Sequence, residues 1–274
     1  MKHKSKIFKK NYFIIFLVFF SIALNQFYGY KGILPIDSFL IFNSGFDILN
    51  GYYPFKDYWT IKEPFIDLLQ AILFKFFGVS WFVYVLHASL FNCLITLTTF
   101  FTLRKFNLEY NHCFLYSLSV AILTYPTAGT PFSDHHTLIL CTISFYCFIL
   151  AIKENSKLFW FLTPLFLGFS FMSKQAPTLY FTVLIILLSI FFLVFSKKYQ
   201  QFLFAIFGFF STIIIFFIIL FLADIKLNDF YFQYYLYPKS LGESRLDWLL
   251  PVEFQRFFWR FKIQYLSISV LVFI

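Results

Sequence analysis

Residues 201–223, QFLFAIFGFFSTIIIFFIILFLA, carry no charged side chain from end to end. A helix crossing a ~30 Å hydrocarbon core needs about 20 such residues, because lipid leaves a bare backbone N–H or C=O without a hydrogen-bond partner. Comparable runs recur at 12–28, 81–103, 107–125, 135–152, 158–173 and 177–195, and an eighth begins near 263. Charged residues make up 13% of the 274, against about 25% in soluble domains. The pattern predicts an all-α polytopic transmembrane bundle of about eight helices, one domain over 1–274. The last run, IQYLSISVLVFI, is too short to span, which fits a fragment of a longer protein.

The basic residues give a second, independent signal. Lys2, Lys4, Lys6, Lys9 and Lys10 precede the first run; Arg104 and Lys105 follow the second, Lys153 and Lys157 the fourth, Lys197 and Lys198 the sixth. Every second junction is basic, which by the positive-inside rule puts the N-terminus in the cytoplasm. Segments 29–80, 126–134, 174–176 and 224–262 then lie on the opposite face. The net charge of +9 follows helix ends instead of forming one stripe, so no nucleic-acid partner is expected. SIALNQFYGY offers no small-x-small cleavage site, so the first run reads as an uncleaved helix. Cys93, Cys113, Cys141 and Cys147 sit in apolar runs without metal-ligand spacing and read as buried small hydrophobes.

The polar material gathers in the first outer loop, 29–80. Asp37 to Leu49 alternates apolar and polar residues over about 13 positions, an amphipathic helix too short to span, ended by Asn50-Gly51. A second such helix, PFIDLLQAILFKFFG, opens at Pro64 and closes at Gly78. Between them lies YYPFKDYWTIKEP, rich in charge and aromatic rings. Two interfacial helices joined by such a loop form a platform at the membrane surface.

The stretch PIDSFLIFNSGFDILNGYYPFKDYWTIKEPFIDLLQAILFKFFG resembles the first periplasmic or luminal loop of GT-C fold glycosyltransferases, of the protein O-mannosyltransferase and aminoarabinose-lipid A transferase kind. Gly51, Pro54, Asp57, Trp59, Lys62, Pro64 and FKFFG at 74–78 fit that family's spacing over about 45 residues. The resemblance implies a GT-C-like fold and transfer of a sugar from a polyprenyl-phosphate donor to a protein, lipid or glycan hydroxyl. It implies a bacterial inner-membrane setting with the site on the periplasmic face. In it the acidic residue matching Asp37 is the catalytic base or positions the acceptor, and the lysine matching Lys62 contacts the donor phosphate. The chain departs at Ser38, where the family often has Glu, and at Glu63, where it has Pro. The chemistry agrees: one carboxylate takes the acceptor proton, and cations stabilise charge developing on the phosphate. The plainer alternative is that Asp37 caps its helix and Lys62 snorkels to lipid headgroups.

TAGTPFSDHHTLIL, residues 127–140, is the second candidate cluster. Ser133 or Asp134 is expected to cap the following helix, and Asp134 and His135 to join Asp57 at an acceptor-binding or structural rim. Adjacent histidines diverge on a helix, so no two-histidine metal site is expected within this segment. A divalent metal cation is the one cofactor left open by the resemblance. Lys174, Arg256 and Arg260 lie on the same outer side; Arg256 and Arg260 share a helical face beside Phe257, Phe258 and Trp259. They either hold the donor phosphate or anchor the chain among headgroups. A transporter or flippase of lipid-linked sugars and an inactive scaffold are the rival readings. A transporter places polar or broken helices at the midplane, whereas the helix cores here look almost purely apolar.

Overall fold

The computed structural model describes residues 2–31, 37–61, 64–126, 128–197, 199–241, 259 and 262, without the side chains of 2–10, 37 and 38. The elements are α1 (Lys2–Gly29), α2 (Asp37–Leu49), α3 (Pro64–Phe77), α4 (Trp81–Lys105), α5 (Tyr110–Leu123), α6 (Ser133–Glu154), α7 (Lys157–Phe171), α8 (Gln175–Ser196), α9 (Gln200–Leu222) and α10 (Leu227–Tyr231). A π-helical turn, Phe232–Leu236, continues α10. Among the described residues there is no strand, only an isolated bridge between Pro54 and Tyr58.

Among the described residues five helices are long and apolar enough to cross a membrane: Asn11–Gly29 of α1, then α4, α6, α8 and α9. That is compatible with an integral membrane protein. The runs expected at 107–125 and 158–173 form helices of 14 and 15 residues, about 21 and 23 Å long at 1.5 Å per residue. Both fall short of a hydrocarbon core. The run expected from 263 lies outside the described residues.

Contacts sort the connections to two ends. Lys105 pairs with Glu154 at 2.9 Å and Gln201 bonds Asn155, so the junctions carrying Arg104, Lys105, Lys153, Lys157 and Lys197 share one end. At the other, which we call the loop end, Trp81 donates to Gly29 O (3.1 Å), Lys174 pairs with Asp134, and Gln175 donates to Tyr234 O (2.9 Å). Basic junctions therefore cluster together, as their alternation along the chain requires.

α2 and α3 form an antiparallel hairpin: Phe42 meets Phe74 (ring centroids 5.0 Å apart), while Gly45 lies against Gln70 and Ala71. A Cβ at Gly45 would stand 2.7 Å from Gln70 Cγ, so only glycine permits this crossing. Gly51 at φ +88° and Gly78 at φ +83° close the two helices in the left-handed conformation glycine adopts freely. The hairpin docks on α4 through Ile41, Ile66, Phe74, Val83 and Tyr84.

The bundle interior is more polar than the apolar runs suggest. Ser21, Asn25, Gln70, His87, Ser89, Asn92, Thr96 and His136 are all buried. Asn92 donates to the backbone carbonyls of Ser21 (3.2 Å) and Ala121 (2.9 Å), and Asn25 to Ser89 Oγ (3.1 Å) and Gly129 O (3.2 Å). Among apolar spans these amides knit α1, α4 and α5 together, since packing between such helices gains little from hydrophobicity. All four cysteines are buried free thiols, as expected.

Candidate functional site

The polar segment after Gly51 folds onto itself before meeting anything else. Asp57 N–H donates to Tyr53 O (2.9 Å) and Tyr53 N–H to Asp57 Oδ2 (2.7 Å), closing a turn. Asp57, expected at the rim, is exposed but spends one carboxylate oxygen on this turn. Inside it Phe55 adopts φ +66°, a left-handed conformation costly to any residue with a Cβ, and its ring is almost wholly buried.

Phe55 N–H donates to Tyr58 O (3.1 Å) within the loop, and what holds its carbonyl and ring comes from far along the chain. Gln233, in the π-helical turn, donates from Nε2 to Phe55 O (3.0 Å) and accepts from Thr60 N–H at Oε1 (3.0 Å). Lys56 pairs with Asp224 at 3.1 Å. Trp59 sets its ring edge against Phe232 and Tyr237 at 5.7 and 5.4 Å. Single-turn π-helical insertions concentrate at functional sites, and this one presents the side chain that clamps the loop.

Beneath the loop lies Asp67, in the first turn of α3 and 4% exposed. Burial, and then the nearby carboxylate of Asp67, raise the Tyr58 phenol well above its usual pKa, with Asp47 and Asp57 adding to the effect. Tyr58 thus stands among three carboxylates and stays protonated. In the sequence Asp67 sits within the second platform helix, PFIDLLQAILFKFFG. Its i, i+3 spacing to Gln70 was the available signal that one face of α3 carries polar groups into the bundle.

From Gln70 a buried hydrogen-bond chain crosses to α6. His87 Nδ1 is 2.9 Å from Gln70 Oε1, His87 Nε2 is 3.1 Å from His136 Nε2, and His136 Nδ1 is 2.6 Å from Tyr125 Oη. Phe132 N–H donates to the same Tyr125 oxygen at 2.9 Å. His136 Nδ1 also lies 3.0 Å from Phe132 O, a pure acceptor, so two proton arrangements fit the chain: Nδ1–H of His136 donating to Phe132 O with His87 Nε2–H donating to His136 Nε2, or Tyr125 donating to His136 Nδ1 with the His136 Nε2–H donating to His87. In either, the chain ties the platform to α4, α6 and the 124–132 turn.

The second expected cluster takes a different form from the one the sequence suggested. Phe132, not Ser133 or Asp134, occupies the N-cap of α6, and no side chain caps it. Asp134 instead pairs with Lys174 at 2.6 Å, so Lys174 is held by a carboxylate. His135 is half-buried between the rings of Tyr125 (5.1 Å) and Phe132 (5.8 Å). The adjacent histidines do diverge, and it is His136 that enters the bundle.

Of the residues expected to act, Asp37 is the first residue of α2 and its side chain lies outside the described residues, as do Lys62, Arg256 and Arg260. α2 sets Asp37 about 18 Å along the helix axis from Leu49, where the polar segment begins. The N-terminal end of α2 instead adjoins α4, with Phe39 5.9 Å from Trp81. Asp57, Asp134 and His135 are all at the loop end. Among the described residues no group of three or more His, Cys, Asp or Glu is placed to hold a metal ion. Compared with known proteins, the chain matches no family model, no curated protein and no solved structure.

Proposed function

We propose that the chain is an integral-membrane glycosyltransferase of the GT-C kind, moving a sugar from a polyprenyl-phosphate donor to a protein, lipid or glycan hydroxyl on the outer face. The observation that carries this reading is the clamped loop. A segment holding Lys56, Asp57 and Trp59 is pinned over the end of an apolar bundle, opposite the basic end, where a lipid phosphate meets water. A loop that served only as a connection would need no left-handed Phe55 and no clamp from 178 residues away.

In this reading a carboxylate takes the acceptor proton as the sugar transfers, and cations stabilise the phosphate that leaves. By resemblance the base is Asp37 and the phosphate contact Lys62, with Arg256 and Arg260 completing the donor site. Asp57, Asp134 and His135 form the rim. The burial of Asp67 under the loop makes it the second candidate base. A divalent cation, if used, would draw on donors beyond the described ones.

Sugar transfer by the full chain in membranes supplied with labelled polyprenyl-phosphate hexoses tests the reading. Loss of transfer in Asp37→Asn and Lys62→Ala at normal expression supports the assigned roles; loss in Asp67→Asn alone moves the base to α3. Absence of transfer from every donor, with donor binding or flipping intact, overturns the enzyme reading in favour of a transporter or scaffold.

A further inference from the structure

α8 and α9 are consecutive, yet α9 packs chiefly against α7. The three helices therefore enclose a groove of about 780 Å³, lined by apolar side chains such as Leu167, Ile185, Ile206 and Ile213. Leu187 and Val194 of α8 and Phe210 and Ile214 of α9 are exposed on the outside of the same helices, which only a hydrocarbon surrounding accommodates. A chain that enters between α8 and α9 therefore comes from the bilayer.

At the loop end the groove is closed by rings. Phe230 and Tyr234 line it and stack on each other at 4.7 Å. Phe55 stands edge-on above both, at 5.1 and 6.1 Å. The residues on either side of that aromatic stack differ completely: hydrocarbon below, Lys56 and Asp57 in water above. The left-handed backbone of Phe55 turns its ring downward while Lys56 and Asp57, which follow it, stay at the surface.

We propose that Phe55 is a lid between a lipid-chain groove and the polar outer loop, and that it swings aside when a phosphate-headed lipid seated in the groove brings its headgroup to the loop. The headgroup half rests on the donor reading above; the groove and the lid do not. Gln233 acts as the hinge pin, because it bonds the Phe55 carbonyl directly and carries the rings beneath it on the same segment. The occupant is a hydrocarbon chain with a single phosphate head, since the groove wall is predominantly apolar, with Thr163 and Thr212 bonded to their own helix carbonyls, and Lys56 stands at the loop end.

The test uses the full chain in nanodiscs. Undecaprenyl phosphate bearing a photoreactive group on its terminal isoprene is crosslinked and the adducts mapped by mass spectrometry. Adducts on α7, α8 and α9 groove residues are expected, reduced several-fold by Ser189→Trp, which fills the groove, and unchanged by Leu187→Trp, which faces outward. Adducts on outward faces alone overturn the groove. For the lid, the Phe216→Cys variant, altered beside Phe230, is alkylated with a water-soluble maleimide. Phe55→Gly removes the ring while favouring the φ +66° backbone, and is expected to speed alkylation at least tenfold. Phe55→Asn, also tolerant of that conformation, replaces it should the glycine loosen the loop. Equal rates with and without the ring overturn the lid. Neither arm reads sugar transfer, so an occupied groove without transfer removes the enzyme reading and leaves this one standing.

Discussion

Replacing Gln233 with alanine isolates the clamp. The side-chain amide is 8% exposed and makes two bonds to the loop, to Phe55 O and from Thr60 N–H, both at 3.0 Å. A hydrogen bond of this kind contributes a net ~1 kcal/mol, so losing both frees the loop by about 2 kcal/mol. At ~1.4 kcal/mol per factor of ten, Thr60 N–H protection falls about 30-fold. The other anchors do not substitute. The Lys56–Asp224 pair is exposed, Asp224 at 90%, and such pairs contribute ~0–1 kcal/mol. The Trp59 ring contacts, about 0.5–1.5 kcal/mol each, keep the loop near its place without protecting the amide. Hydrogen–deuterium exchange on a peptide spanning 52–61, followed in detergent or nanodiscs, measures this directly. The reasoning is refuted if Thr60 keeps its protection in Gln233→Ala yet loses it in Lys56→Ala, for then the ion pair and not the amide holds the loop.

Four further changes have definite expected outcomes. A Cβ at Gly208 runs into Phe161 O of α7, so Gly208→Ala overpacks the α7–α9 contact and destabilises by about 1–3 kcal/mol in thermal unfolding. His136→Leu strands His87 Nε2, while the Tyr125 hydroxyl keeps Phe132 as a partner, and costs about 1–3 kcal/mol, whereas adding His87→Leu costs less than the sum of the two single changes, a non-additivity that a double-mutant cycle reads. Asp134→Asn, which breaks a half-exposed pair with Lys174, lowers stability by no more than about 1 kcal/mol. For pH, the Tyr58 proton is held more tightly in the folded state, so its contribution is complete below about pH 10 and declines as pH rises beyond it; Tyr58→Phe flattens that alkaline limb of the stability profile.

The legible parts of the fold were those written in local pattern. The ranges expected for α4, α6, α8 and α9 agree with the observed helices to within about two residues. Both platform helices end where Gly51 and Gly78 take positive φ. Each signal lies inside a window of a few turns. The α6 cap failed for a reason no local window holds: the helix starts after Phe132, and Asp134, inside its first turn, pairs with Lys174 from 40 residues along the chain. The buried chain was half-written, since Asp67 and Gln70 on α3 and Tyr84 and His87 on α4 each repeat at i, i+3, placing polar atoms on one face of each helix. What no window contains is that those two faces meet, or that Gln233 reaches Phe55.

That long-range pairing decides what the polar loop is for. A turn able to close through Asp57 and Tyr53 would form without any partner, and left to itself would carry Phe55 in a relaxed right-handed or extended backbone. The left-handed Phe55 exists because Gln233 takes its carbonyl and the α9–α10 segment takes its ring, with Leu220, Ala223, Ile225 and Tyr234 closing around it. Strain at Phe55 is therefore balanced by its N–H bond to Tyr58 O inside the loop and, for its carbonyl and ring, by contacts from one neighbouring segment. A change that shifts that segment, such as a chain entering between α8 and α9 and pressing on Phe230 and Tyr234, acts first on the residue with least to lose by moving. The groove and the loop are coupled through Phe55 for that reason, and a substitution that relaxes its backbone without removing its clamp separates the two effects.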